Sequence, residues 1–126
     1  MATHAFLPTA TWSGKLFDGQ WAAGAGTQDV VEPATGERLG EIAMADPAQI
    51  ARAAATAAKA QRDWASAPYD TRAQVLRRAA QLAEEHNDEI VQWLVRESGS
   101  TQLKAGFEAK VNTKALHEAA ALPSRS

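Results

Sequence analysis

Val31-Glu32-Pro33-Ala34-Thr35-Gly36-Glu37 is the stretch on which the reading of this fold turns. Pro33 presets φ, and Gly36 can take the positive φ that a tight reversal needs, so Pro33 to Gly36 reads as a turn. Thr27 to Glu32 before it reads as a strand. Arg38 to Ala43 reads as the returning strand, with Leu39 and Ile42 as apolar anchors. Further upstream, Leu16 to Trp21 is short and aromatic-rich and reads as one strand. Ala22 to Gly26 carries two glycines and reads as the turn from which Thr27 to Glu32 pairs back. Residues 1–14 have no periodicity and read as a flexible lead-in.

Downstream, the apolar period changes from two to about 3.6 residues, the helical value. Asp46 is placed to cap a helix whose first position is Pro47, where a missing N–H costs nothing. Ile50, Ala54, Ala57 and Trp64 share a face of that helix. After Pro68, Tyr69 or Asp70 opens a second helix with Val75, Leu76, Ala79, Leu82 and Ala83 inward. Asn87 and Asp88 mark a break, and Ile90, Val91, Trp93, Leu94 and Val95 continue at helical spacing. Gly99 stops that helix, and Ser100 or Thr101 caps the last. There Leu103, Phe107, Val111 and Ala115 recur every four residues and are expected inward, and Pro123 terminates.

The 126 residues are enough for one domain with a core, but much of the 45% apolar share is alanine. The net charge of −2 is mixed along the chain, and there is no basic stripe of the kind nucleic acid requires. No apolar run reaches the ~18 residues of a membrane span. Met1 to Ala10 lacks a basic segment followed by an apolar one, so no signal peptide is expected. The chain has no cysteine, hence no disulfide and no thiolate zinc site; a cytoplasmic protein with no metal requirement and no membrane partner is the expectation.

Motifs that carry chemistry are sparse. Gly24-Ala25-Gly26 lacks the third glycine and the following helix of a dinucleotide fingerprint, so a hairpin turn explains it better. There is no phosphate-binding Gly-Lys-Ser/Thr and no Gly-x-Ser-x-Gly elbow. His4, His86 and His117 are isolated, and Glu84 and Glu85 point away from His86 on a helix. Trp12, Trp21, Trp64 and Trp93 lie in different elements and read as packing residues. Glu97-Ser98-Gly99 reads as a helix end.

In order and spacing, these pieces resemble the N-terminal part of NAD(P)-dependent aldehyde dehydrogenases. The pieces are Phe17-Asp18-Gly19-Gln20-Trp21, the Pro33-Ala34-Thr35-Gly36-Glu37 turn, the alanine-rich helix ending at Trp64, Arg72 with Leu76 and Ala79, Glu97-x-Gly99, and Glu108. Two departures narrow the resemblance. Glu32 stands where many members have Asn. Gly99-Ser100-Thr101, followed by Lys104-Ala105-Gly106-Phe107-Glu108, replaces Gly-Lys-Pro and looks like bacterial benzaldehyde- and vanillin-type enzymes.

The resemblance implies an α/β family fold. Residues 15–126 would be an incomplete N-terminal portion of a Rossmann-like NAD-binding domain, mostly helical with a short N-terminal β-hairpin or meander. It implies a parent reaction, the NAD(P)-dependent oxidation of an aldehyde, aromatic in the sense of its subgroup, to a carboxylic acid. In the family the catalytic cysteine, the glutamate base, the oxyanion-hole asparagine, the NAD- or NADP-binding motifs and the hairpin of subunit assembly all lie downstream. No catalytic and no cofactor-binding residue is therefore expected here, and the chain alone should be inactive. Glu108 and Asn112 match positions near the substrate tunnel, and Glu97 matches a position that helps to hold a structural cation. The apolar faces Leu103/Phe107/Val111 and Ile90/Leu94 must bury against something, which points to self-association or to the remainder of an enzyme. The other readings are a non-catalytic helical interaction module and, with little in its favour, a small enzyme using carboxylates and a histidine.

Overall fold

The computed structural model describes residue 6 and residues 8–122. They form two compact units, residues 1–65 and residues 66–126. Residues 1–5 and 7 of the lead-in, and Pro123, lie outside the described residues.

The first unit holds a short helix α1 (Thr9–Trp12), four strands, β1 (Lys15–Phe17), β2 (Trp21–Ala23), β3 (Gly26–Val31) and β4 (Arg38–Met44), and nearly all of the helix α2 (Pro47–Ser66). The strands make two antiparallel pairs, β1 with β2 and β3 with β4. The expectation of a single strand over Leu16–Trp21, paired with Thr27–Glu32, is corrected here. The run breaks at Asp18-Gly19-Gln20, where Gly19 has φ 109° and the Asp18 N–H donates to the Gln20 carbonyl at 3.2 Å. That reversal sets Phe17 opposite Trp21 with ring centroids 5.1 Å apart, a cross-strand aromatic pair that a continuous strand would forgo. β3 pairs with β4 instead.

The turn between β3 and β4 is where the sequence puts it. The Gly36 and Glu37 ends close on Glu32: Gly36 N donates to the Glu32 carbonyl at 2.9 Å, and Glu32 N donates to the Glu37 carbonyl at 2.8 Å. The Thr35 hydroxyl donates to the Glu32 carboxylate at 2.5 Å and accepts from Glu37 N at 3.2 Å. Glu32 thus has a local task in the turn. Across the hairpin the Arg38 Nε–H donates to Asp29 Oδ1 at 2.6 Å. This bond to Asp29 raises the Arg38 pKa above its already high value, so the guanidinium stays charged.

What is buried in this unit is small. Gly40 and Ala43 of β4 are covered, and Ile42, expected as an anchor, is exposed. The Trp12 ring lies so close over Gly40 that a Cβ there would come within 2.7 Å of it. α2 begins with a reciprocal cap: Gln49 N donates to Asp46 Oδ1 at 2.6 Å and Asp46 N donates to Gln49 Oε1 at 3.1 Å. The rest of α2 buries no residue, so the face of Ile50, Ala54, Ala57 and Trp64 expected inward is uncovered.

The second unit is three helices, α3 (Tyr69–Glu85), α4 (Asn87–Ser98) and α5 (Gln102–Ala121). The break at Asn87 is present: α3 ends at Glu85 and α4 starts two residues later. Gly99 adopts the left-handed conformation (φ 66°) at the end of α4, and Thr101 caps α5 by accepting from Lys104 N. The buried side chains are Ala73, Ala80, Ala83, Val91, Ala105, Ala109 and Ala120. Ile90, Leu94 and Val95 pack on the Val91/Ala105/Ala109 cluster.

Here the second correction falls. α5 turns its alanines, not its large apolar row, toward α3 and α4, and Leu103, Phe107 and Val111 face outward. At 100° per residue, Ala109 lies nearly opposite Phe107 on the helix. Only one of the two faces can meet the neighbouring helices, and the alanine face lets their backbones come close. Val75 of α3, expected inward, is exposed for the same reason, while Ala73, Ala80 and Ala83 take the interface.

Candidate functional site

The residues proposed from sequence sit on the C-terminal half of α4 and on α5. Ser98, in the last turn of α4, donates its one hydroxyl hydrogen to the Leu94 carbonyl, and its oxygen stands 3.0 Å from Ser100 Oγ. Ser100 Oγ in turn accepts from Lys104 Nζ at 3.3 Å. The first turn of α5 is thereby tied to the end of α4. Lys104 also donates to Glu108 Oε1 at 2.6 Å, an i, i+4 pair with both side chains partly in solvent. Asn112, one turn on, is exposed. Lys104, Glu108 and Asn112 thus follow one another along one flank of α5. The structure brings Glu108 to a cation and leaves Asn112 open to whatever lies against that flank.

Glu97 is exposed one residue before the end of α4. Among the described residues no three His, Cys, Asp or Glu side chains gather as a metal cluster. Glu97 is therefore one carboxylate at a helix end, and any cation it held would take its other ligands from elsewhere.

Sequence reasoning missed a cleft within the second unit. It has a volume of about 670 Å³ and lies where the end of α3 and the start of α4 meet α5. His117 Nε2 stands 3.2 Å from Glu84 Oε1 across it, and Asn87, Lys110, Thr113 and Lys114 share the lining. The Thr113 hydroxyl donates back to the Ala109 carbonyl at 3.1 Å, so it is engaged in its own helix. Glu84 and His117 are 33 residues apart, and no local pattern announces such a contact. The cleft offers alternating charges and no nucleophile paired with a base.

A second concavity belongs to the first unit. It is an apolar groove of about 880 Å³ lined by Leu16, Phe17 and Ala22 of the β1–β2 hairpin and by Ile50, Ala54 and Ala57 of α2. Beside it runs the Gly24-Ala25-Gly26 link. The Ala25 N–H, the amide a phosphate would use, already donates to the Met44 carbonyl at 2.8 Å and to Gln49 Oε1 at 3.1 Å. Gln49 Nε2 donates to the Ala23 carbonyl at 3.1 Å and ties the same link to α2. These glycines frame a turn whose central amide is already engaged within the unit.

Residues 21–126 fit the model of the aldehyde dehydrogenase family, and this chain belongs to that family. Among its relatives is the vanillin dehydrogenase of an Amycolatopsis species, 48% identical over 120 residues that cover 94% of this chain and 25% of the relative. The benzaldehyde dehydrogenase [NAD(+)] of Pseudomonas putida is 36% identical over 114 residues, 90% of this chain and 23% of the relative. The crystal structure of a NAD-dependent benzaldehyde dehydrogenase from Corynebacterium glutamicum superposes with a TM-score of 0.82 at 36% identity, over 92% of this chain and 25% of that one. The chain therefore spans about a quarter of the length of the relatives it matches. The α/β family fold expected from sequence holds, with this part mostly helical and its short strands at the N-terminal end.

Proposed function

We propose that this chain is the N-terminal part of an aromatic-aldehyde dehydrogenase whose parent reaction is the NAD(P)-dependent oxidation of an aldehyde to a carboxylic acid. The observation that carries the reading is the 48% identity to a vanillin dehydrogenase over nearly the whole chain. Taken alone, the chain is inactive and binds neither NAD nor NADP. Two features support this: it has no cysteine to supply a thiolate, and the Ala25 amide beside its paired glycines is already engaged. The remainder of the enzyme is its partner and supplies the nucleophile and the cofactor site, in a cytoplasmic setting.

Within that enzyme Asn112 and Glu108 face the substrate tunnel. The exposure of Asn112 supports this, and the Lys104–Glu108 pair directs the neighbouring carboxylate along the helix. Glu97 contributes one oxygen to a structural cation, a role for which its exposed helix-end position leaves room. A second reading, a non-catalytic helical module, is favoured by one observation, the outward row Leu103, Phe107 and Val111.

The test follows NADH absorbance with benzaldehyde and NAD+. The 126-residue chain should give no turnover above buffer. The same frame extended to the length of its relatives should turn over, and Asn112→Leu in it should change kcat/KM unequally across a panel of small and bulky aldehydes. Turnover by the chain alone, or a flat response across the panel, would overturn the respective claim.

A further inference from the structure

Lys104 is held from two sides. Its Nζ donates to Glu108 Oε1 at 2.6 Å and to Ser100 Oγ at 3.3 Å. Ser100 Oγ stands 3.0 Å from Ser98 Oγ, and the Ser98 hydroxyl donates to the Leu94 carbonyl, so the contacts run from the last turn of α4 into α5. The backbone is fixed at the same point, because Lys104 N donates to the Thr101 hydroxyl oxygen at the cap. An i, i+4 ion pair on a helix surface otherwise has only its two long side chains to hold it, and these exchange with water. Lys114 and Glu118, a second such pair on α5, stand 3.7 Å apart. Helical side chains lean toward the N-terminus, and a carboxylate bonded to an ammonium one turn earlier is drawn the same way. The Glu108 carboxylate is thus turned toward Lys104 and away from Asn112, which lies one turn further on.

We propose that, on the reading that puts Glu108 and Asn112 at the substrate tunnel, Lys104 is a positioning residue of the parent enzyme. By holding the Glu108 carboxylate it keeps the tunnel wall beside Asn112 open to aldehydes whose ring carries an anionic substituent. Benzaldehyde enters such a tunnel uncharged and meets little resistance from a nearby carboxylate. An aldehyde with a carboxylate on its ring does meet it, because two like charges in a narrow, poorly hydrated channel repel strongly. Paired with Lys104, Glu108 presents no net charge to the incoming ring. Deprived of Lys104, it is an unpaired carboxylate free to swing along the wall toward Asn112, and it selects against anions at the point of binding. Lys104 touches neither substrate nor cofactor in this role and acts through Glu108.

In the frame extended to the length of its relatives, kcat and KM are measured separately for benzaldehyde and for para-formylbenzoate. Lys104→Met should lower kcat/KM for para-formylbenzoate relative to benzaldehyde by about tenfold, with the change in KM. Lys104→Arg should keep the ratio. Lys104→Met combined with Glu108→Gln should restore it, since the carboxylate that Lys104 held is then gone. A purely structural role would move both substrates together and would not be rescued by removing the carboxylate. An unchanged ratio in Lys104→Met overturns the proposal, as does a loss that falls on kcat for both substrates alike. So does a double variant that stays selective against the anion, or an unaltered enzyme that oxidises benzaldehyde and rejects para-formylbenzoate. Asn112→Leu separates the role of Lys104 from the tunnel placement beneath it. An aldehyde panel shifted by Asn112→Leu, with the Lys104→Met ratio unmoved, overturns the role of Lys104 alone. A flat panel overturns the tunnel placement and the role with it.

Discussion

α2 and α5 are each 20 residues long and alanine-rich, and their fates differ. α5 buries Ala105, Ala109 and Ala120 against α3 and α4, while α2 buries nothing and is held at its first turn by Gln49. Both helices carry an apolar row that period alone would turn inward, Ile50, Ala54, Ala57 and Trp64 in α2 and Leu103, Phe107 and Val111 in α5, and in both the row is exposed. The lesson is about cause. A helix docks by the face its neighbour fits, and a face of methyl groups can win over a face of leucine and phenylalanine when close backbone approach is what the partner offers. Periodicity shows that a face exists and does not say what covers it.

The sharpest way to break the comparison is to add volume at equivalent alanines. Ala105→Leu should cost about 1–3 kcal/mol, because no space remains around this fully covered methyl. Ala54→Leu in α2 should stay within about 0.5 kcal/mol. Urea midpoints of the two variants measure the difference, and equal losses would mean that α2 is packed as tightly as α5.

Gln49 comes next in expected size. Its side chain accepts from Asp46 N in the cap of α2 and holds the Ala23–Ala25 link through two further bonds. Gln49→Ala should lower stability by about 1–2 kcal/mol and speed amide exchange in the first turns of α2. Exchange unchanged there would show that something other than this cap anchors the helix.

Thr101→Ala is the matching change at α5 and should cost less, about 0.5–1 kcal/mol, since one bond to Lys104 N is lost while α3 and α4 still hold the helix. The smallest effect is expected from Lys104→Gln. Its bond to Glu108 is partly solvated, so thermal unfolding should move by no more than about 0.5 kcal/mol at moderate salt, and by less as salt rises.

The parts that were legible in the sequence are those whose cause is local. The Asp46 cap, the Pro33–Gly36 turn, the Gly99 stop and the Thr101 cap each depend on residues within a few positions of one another, and each is present. The β1–β2 reversal was hidden because Asp18-Gly19-Gln20 sits inside an aromatic run, and the gain from pairing Phe17 with Trp21 arises only once the turn is made. The orientation of α5 was hidden because both of its faces are apolar and only the neighbouring helices decide between them. The Glu84–His117 cleft was out of reach for a simpler reason, its separation along the chain. Glu108 and Asn112 came from family resemblance, and nothing in their periodicity distinguishes a tunnel wall from a polar stripe.

Among the described residues of α3, α4 and α5 every buried side chain but Val91 is a methyl group attached directly to the backbone. Such side chains have no χ angle to fix. Ordering that interior costs almost no rotamer entropy, whereas a buried Leu or Met would each lose roughly 0.5–2 kcal/mol of it. The same economy removes tolerance. An interior of leucines can absorb a disturbance by changing rotamer, but where alanine meets alanine between α3 and α5 the soft coordinate left is the helices themselves. Any strain placed there must emerge as movement of whole helices, so the spacing of α3, α4 and α5 acts as a gauge of the fit between this segment and whatever is fused or docked to it.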